Sequence, residues 1–224
     1  MARLTPPQWT SEKRAAFDAL ADEFLGQYGR GRTFLSVDGI DGSCRRAFAD
    51  ALAERLGRGS HAVFRASIDD FHRPRAERLA RGADSAEGYY YDSYDYDLFR
   101  RVLIEPFRLG GSAGFVTAAF DAERDSPIEM EWLTAPQDAT LIVDGPFLGR
   151  PELRGIWNYS VWLDVDATAA AERLFRVDGA APRSSRYSGG ERLYLAEANP
   201  RARASAIFDN TNAELPRRVF ADSC

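Results

Sequence analysis

Eight residues between two apolar stretches carry the first sign of chemistry. Gly39-Ile40-Asp41-Gly42-Ser43-Cys44-Arg45-Arg46 follows the run Thr33-Phe34-Leu35-Ser36-Val37 and precedes a helical pattern with Phe48, Leu52 and Leu56 on one face. A glycine-rich turn from strand to helix presents backbone N–H groups and the positive helix end, which suits it to hold phosphate. The template for such a turn is Gly-x-x-x-x-Gly-Lys-Ser/Thr. Gly39 matches its first position, whereas Cys44, Arg45 and Arg46 stand where Gly, Lys and Ser/Thr belong. A Cβ at position 44 penalises a left-handed backbone by about 1–2 kcal/mol. Arg45 keeps the positive charge but spreads it over a planar fork. Arg46 removes the hydroxyl that would ligate Mg²⁺ and puts a cation near that place. Losing one preorganised charge-stabilising group costs on the order of 10²–10³ in rate, so three changes together threaten turnover.

Carboxylates follow other apolar runs. Asp69-Asp70 ends the stretch Ala62–Ile68, Asp144 ends Leu141-Ile142-Val143, and Asp95 opens a helical pattern after Tyr94. An acid at the end of a buried strand beside a phosphate loop is what a Mg²⁺ site or a general base requires. Any one of them also fits a plain structural role, Asp95 in particular as a helix N-cap.

These positions need a scaffold. Residues 10–28 predict an amphipathic helix, with Phe17, Leu20, Phe24 and Leu25 at helical spacing and Gly29 closing it. Short apolar strands are predicted at 33–37, 62–68, 140–143, 160–165 and 206–208, with a further strand over 115–120 in a small excursion. Helices are predicted at 95–109, disturbed by Pro106 in the last turn, and at 167–177 and 190–204. Strands alternating with helices imply an α/β fold with a parallel sheet, whose ligands bind beyond the carboxyl ends of the strands.

Composition narrows the function. With 224 residues the chain is of single-domain size, 1–224. Its 29 Lys and Arg against 34 Asp and Glu give a net charge of −5, against wholesale nucleic-acid binding. No apolar run reaches membrane-spanning length and the N-terminus carries no leader-like segment. Two cysteines, Cys44 and Cys224, make no disulfide framework, so a reduced cytoplasmic setting is expected. Two histidines and two scattered cysteines offer no zinc constellation. Lys13 is the sole lysine, which excludes other lysine-based covalent chemistry. The tyrosines 89–91, 94 and 96 could stack on a base or sugar, or pack in a core or against a second copy.

The motifs Val37–Ser43, Ser67-Ile68-Asp69-Asp70-Phe71, Asp92–Asp97, Ile142–Leu148 and the segment from Arg186-Tyr187 to Tyr194 occur in an order, over residues 30–212, that resembles the uridine kinase and phosphoribulokinase group of phosphate-loop kinases, most of all its bacterial uridine kinase-like proteins. The resemblance implies a three-layer α/β/α phosphate-loop fold with a five-stranded parallel sheet and a mobile lid over about 178–190. It implies that residues 39–46 hold the phosphates of ATP or another nucleoside triphosphate, with Arg45 in the catalytic lysine's place. Asp69 would be the base toward the acceptor hydroxyl, Asp95 would hold the acceptor's ribose hydroxyls, and Asp144 would steer Mg²⁺. Tyr94, Phe120 and His72 would line the acceptor site. Arg173, Arg176, Arg183 and Arg186 would serve as lid arginines toward the phosphates, with Arg176 assigned to nucleotide binding. The acceptor would be a nucleoside or related small sugar.

Two functions compete. One is phosphoryl transfer from ATP to a hydroxyl of such an acceptor. The other is a kinase-fold protein without kinase activity, binding a nucleotide or other anion through Arg45 and Arg46 without metal. Association with a second copy is left open by the sequence.

Overall fold

The computed structural model describes residues 9–178 and 184–220. In chain order the elements are α1 (Ser11–Tyr28), β1 (Arg32–Gly39), α2 (Arg45–Leu56), β2 (Ala62–Ser67), a 3₁₀ turn (Ile68–Phe71), α3 (Arg75–Arg78), α4 (Ala86–Asp92), α5 (Tyr96–Phe99), a π-helical stretch (Arg100–Ile104), α6 (Glu105–Leu109), β3 (Phe120–Asp121), β4 (Ser126–Pro127), β5 (Ala139–Asp144), β6 (Tyr159–Asp164), α7 (Ala167–Asp178), α8 (Ser185–Ala198), α9 (Pro200–Arg203), β7 (Ala206–Asp209) and β8 (Arg217–Val219).

The main sheet runs β2-β5-β1-β6-β7-β8. Its first five strands are parallel, as expected, and β8 adds an antiparallel edge that the sequence reading did not foresee. Side chains alternate across the sheet. On one face Leu35, Val37, Ile142, Val161 and Leu163 pack with Phe17, Leu20 and Phe24 of α1 and Phe48 and Leu52 of α2. On the other, Phe34, Leu141, Val143 and Trp162 pack with Tyr90, Phe99, Leu103 and Phe107. Helices thus cover both faces, and the three-layer reading holds.

Local chemistry explains the element ends. The Thr10 side chain accepts from the Lys13 N–H and caps α1, and the Gly29 N–H closes its other end on Leu25 O. The predicted 95–109 helix is continuous but contains a π-helical turn before Pro106, where the Glu105 N–H reaches back to Arg100 O. Widening the turn lets the helix carry a residue that has no N–H of its own. The 115–120 strand is a correction. Only Phe120–Asp121 pairs, with Ser126–Pro127, and Phe115 makes a single bridge to Leu133. The 190–204 helix is a second correction. It begins at Ser185, capped by Ser184, and breaks at Asn199, which is left-handed ahead of Pro200. Of the expected lid over about 178–190, residues 185–190 form the start of α8, with Gly189 and Gly190 buried against α4. Residues 179–183, Arg183 among them, lie outside the described residues.

Candidate binding site at the strand ends

Register brings the motifs together. Val37 of β1 and Ser67 of β2 both lie opposite Asp144 of β5, so the 39–46 loop, Asp69 and Asp144 leave the sheet at one edge.

The loop leaves no room at Gly39, where a Cβ would sit 2.6 Å from Ser43 Oγ and 2.9 Å from Leu163 O. Cys44 lies at φ 62° and ψ 39°, the left-handed region that a template glycine would take without strain. Arg45 folds back over the loop. Its guanidinium donates to the Gly39 carbonyl and, at 2.8 Å, to Asp41 Oδ1. From α8, Glu191 Oε1 accepts the Asp41 backbone N–H at 2.7 Å. Arg173 of α7 donates to Gly42 O at 2.7 Å and to the carbonyls of Asn210 and Thr211, so it ties the loop's backbone to the β7 end. Arg176 is exposed on α7. The Ser43 hydroxyl is fully buried without a hydrogen-bond partner. A carboxylate of the chain itself therefore already takes the Asp41 N–H, a donor that a phosphate would use, while the guanidiniums of Arg45 and Arg173 bond loop carbonyls.

The magnesium expectation meets a different donor set. Asp144, 3% exposed, pairs its Oδ1 with Arg65 Nη2 at 2.6 Å, and Ser67 Oγ lies 3.4 Å from Oδ2. Arg65 also holds Asp50 at 3.1 Å. A cavity of about 250 Å³ at this point is lined by Arg46, Asp50, Arg65, Ser67, Asp70 and Asp144 among others. Two guanidiniums share the ground where Mg²⁺ would need oxygen ligands and water in octahedral array. Among the described residues no group of three or more His, Cys, Asp and Glu side chains could hold a metal ion. The residues present do not fit Mg²⁺. Asp70 carries a carboxyl raised above its ordinary range, chiefly by burial.

Three of the residues expected at the acceptor lie together. Tyr94, buried at 2%, donates its hydroxyl to Asp69 Oδ1 at 2.9 Å. His72 Nδ1 lies 2.7 Å from the Asp69 carbonyl, and its ring packs against that of Tyr94 at 4.5 Å, tilted by 46°. Burial holds the His72 imidazole below its usual pKa, so it is neutral near pH 7. A cavity of about 390 Å³ opens beside this group, between α3, α4 and the start of α8, with His72, Tyr89 and Ser93 in its wall. Phe120 is buried, and Ala122, two residues on, reaches the cavity. Asp95 caps α5, Oδ1 accepting from the Leu98 N–H at 2.8 Å, which is the structural role its position allowed. The tyrosine run serves mainly as core, Tyr89, Tyr90, Tyr94 and Tyr194 packing around Phe147. Phe147 itself takes φ 66°, a strained setting for a bulky residue just past Asp144.

Four site residues were missed by sequence reasoning. Arg65 neutralises Asp144, and the signal for it was an arginine inside an otherwise apolar strand. Glu191 and Tyr194 arrive from α8, 150 and more residues from the loop. Asp38 is buried under the loop, where it accepts from the Tyr194 hydroxyl and from the Gly39 N–H at 2.7 Å. Burial pushes its carboxyl up to about 6, while Tyr194, Arg45 and two backbone N–H groups pull the other way.

No family model and no curated protein sequence matches the chain. Solved structures do. A structure described as a possible uridine kinase from Bacillus stearothermophilus superposes with a TM-score of 0.71 at 24% identity, over 88% of this chain and 98% of that one. A protein provisionally described as a fructose transport system kinase, from Silicibacter sp. TM1040, gives 0.62 at 21% identity over 84% and 94%. At these identities the likeness speaks of architecture, and with the sheet order and the strand-end loop it establishes that the chain has the phosphate-loop kinase fold.

Proposed function

We propose that the protein binds a small hydroxylated molecule, nucleoside-like or sugar-like, in the cavity beside Asp69, and that it does so without magnesium-dependent phosphoryl transfer. The observation that carries this reading is the contrast between the two halves of the site. Asp69, Tyr94 and His72 form a connected, partly buried group next to an open cavity. On the donor side Arg65 neutralises Asp144, Arg45 bonds the loop's own Gly39 and Asp41, and Arg46 replaces the metal-binding hydroxyl. The likeness to small-molecule kinases supports the placement of the ligand, and the chain's own residues argue against the metal.

A second reading is favoured by Asp69. Its carboxylate accepts from Tyr94 close to the cavity that His72 lines, a setting that suits a general base. In that reading the acceptor oxygen attacks the terminal phosphorus of a nucleoside triphosphate. Its proton passes to Asp69, the bond to the departing diphosphate breaks, and Arg45 and Arg46 neutralise the charge.

Calorimetry with ATP, with and without magnesium, followed by radiolabelled transfer to a panel of nucleosides and sugars, separates the two. The first reading expects ligand binding in the panel, no product, and ATP binding that is weak or indifferent to magnesium. Product that disappears in Asp69→Asn establishes the second and overturns the first. Restoring Gly-Lys-Thr at positions 44–46 is expected to gain triphosphate affinity. No binding of any panel member overturns both.

A further inference from the structure

A second cavity shares no wall residue with the one beside Asp69. It lies on the sheet face that carries Phe34 and Trp162. Register puts Ser36 of β1 opposite Ser160 of β6, and Asp38 opposite Trp162. Strands buried on both faces of a parallel sheet are ordinarily apolar throughout. Here two serines and an acid floor a space of about 200 Å³. Trp157 and Trp162 wall it, and both indole N–H groups are committed elsewhere, to Leu148 O at 2.7 Å and to Asp164 Oδ1 at 2.8 Å. What the two indoles offer the cavity is therefore ring carbon. Asp38 is also provided for, accepting from the Gly39 N–H, the Tyr194 hydroxyl and, at 3.2 Å, the Gly149 N–H. The floor does not call for a cation. Ser36 differs. It is 2% exposed, and its hydroxyl makes no hydrogen bond to any described residue. A buried hydroxyl without a partner is costly to keep.

The rim adds charge of one sign. Arg154 and Arg203 are exposed, and among the described residues neither guanidinium forms an ion pair. The acids of the neighbouring segments are held by other arginines, Glu152 by Arg150 at 2.6 Å and Asp164 by Arg201 at 3.0 Å. Arg154 adds only a minor pull on Glu152.

We infer that this cavity binds a small aromatic carboxylate, its ring against Trp157 and Trp162, a ring hydroxyl or heteroatom toward Ser36, and its carboxylate on Arg154 and Arg203 at the mouth. A cavity of about 150 Å³ already admits benzene, so this one has room for a ring with a polar substituent. Aromatic rings pack favourably on one another, and guanidinium forks bond carboxylates bidentately. A neutral ring would leave the two arginines unused, and an aliphatic acid would leave the indole faces unused. The inference is independent of the function proposed for the cavity beside Asp69.

The test titrates the full chain calorimetrically with benzoate, 3-hydroxybenzoate and nicotinate, each against its amide, and with acetate as the ring-free acid. At least one aromatic acid is expected to bind about tenfold or more tighter than its amide and than acetate. The double variant Arg154→Gln with Arg203→Gln, at exposed side chains, is expected to keep the melting temperature and to cut that affinity several-fold. Ser36→Val, which puts a methyl in place of the free hydroxyl and adds a second, is expected to weaken binding as well. If Ser36→Val lowers the melting temperature, the arginine variant alone decides. Absence of binding by all three acids overturns the inference, as do amides that bind as tightly as the acids. An affinity untouched by the arginine variant also overturns it, because the carboxylate then lies elsewhere.

Discussion

Single side chains decide what this site can do. Arg45 illustrates the difference between keeping a charge and keeping its job. A lysine places a compact ammonium on phosphate oxygens, whereas the Arg45 fork finds the Gly39 carbonyl and the Asp41 carboxylate first. Asp38 is the second decisive residue, because it is buried and its carboxyl is raised from an ordinary 3.8 to about 6. Below pH 4 the group is protonated in both folded and unfolded chains and its burial costs little. Between the two values folding takes up a proton, so its contribution to stability is lost as the pH rises through about 6. That gap corresponds to about 3 kcal/mol. Asp38→Asn removes the titration. In urea unfolding at stepped pH, the stability of the variant relative to the parent is therefore expected to rise between pH 4 and about 6 and to level off above. A difference that does not change with pH contradicts the assignment.

At the scale of elements, the contact between α4 and α8 shapes the cavity. Two glycines let the helices close. A Cβ at Gly189 would fall 2.5 Å from the Ala86 Cβ, and one at Gly190 would fall 2.6 Å from Tyr89 Cδ1 and 3.2 Å from Ala86 O. Tyr89 lines the cavity, so spreading the pair also moves its wall. Gly190→Ala is expected to cost about 1–3 kcal/mol by overpacking and to lower the melting temperature by several degrees, with weaker ligand binding. Gly26→Ala is the matching control, since a Cβ there meets nothing within 4 Å inside α1. Helix propensity alone makes that change stabilising by about 0.5–1 kcal/mol. Equal effects from the two substitutions would rule out steric closure of α4 on α8.

At the scale of the whole molecule, a sheet with helices on both faces sends the carboxyl ends of its five parallel strands to one edge. At that edge this chain gathers the 39–46 loop, Asp69 and the Arg65–Asp144 pair. The thermal consequence is direct. A ligand that binds the folded state raises the melting temperature by mass action, so an ion with no site does not. Millimolar magnesium or excess chelator is expected to leave the unfolding curve unchanged, and a rise of several degrees with magnesium would mean that Arg65 yields Asp144 to the metal.

The sequence alone determined the layered α/β architecture, because strand and helix periodicities and capping residues such as Thr10 and Gly29 are local properties. It also determined that the 39–46 turn departs from its template and that acids follow the strands. Asp95 shows the limit of that reading, since one position suits both a helix cap and a ligand contact and only the tertiary structure supplies the Leu98 N–H that it caps. The pairing of Asp144 with Arg65 and the arrival of Glu191 and Tyr194 at the loop were decided by tertiary structure. These partners lie on different strands and helices, and their distances in sequence carry no signal until sheet register and helix packing set them side by side.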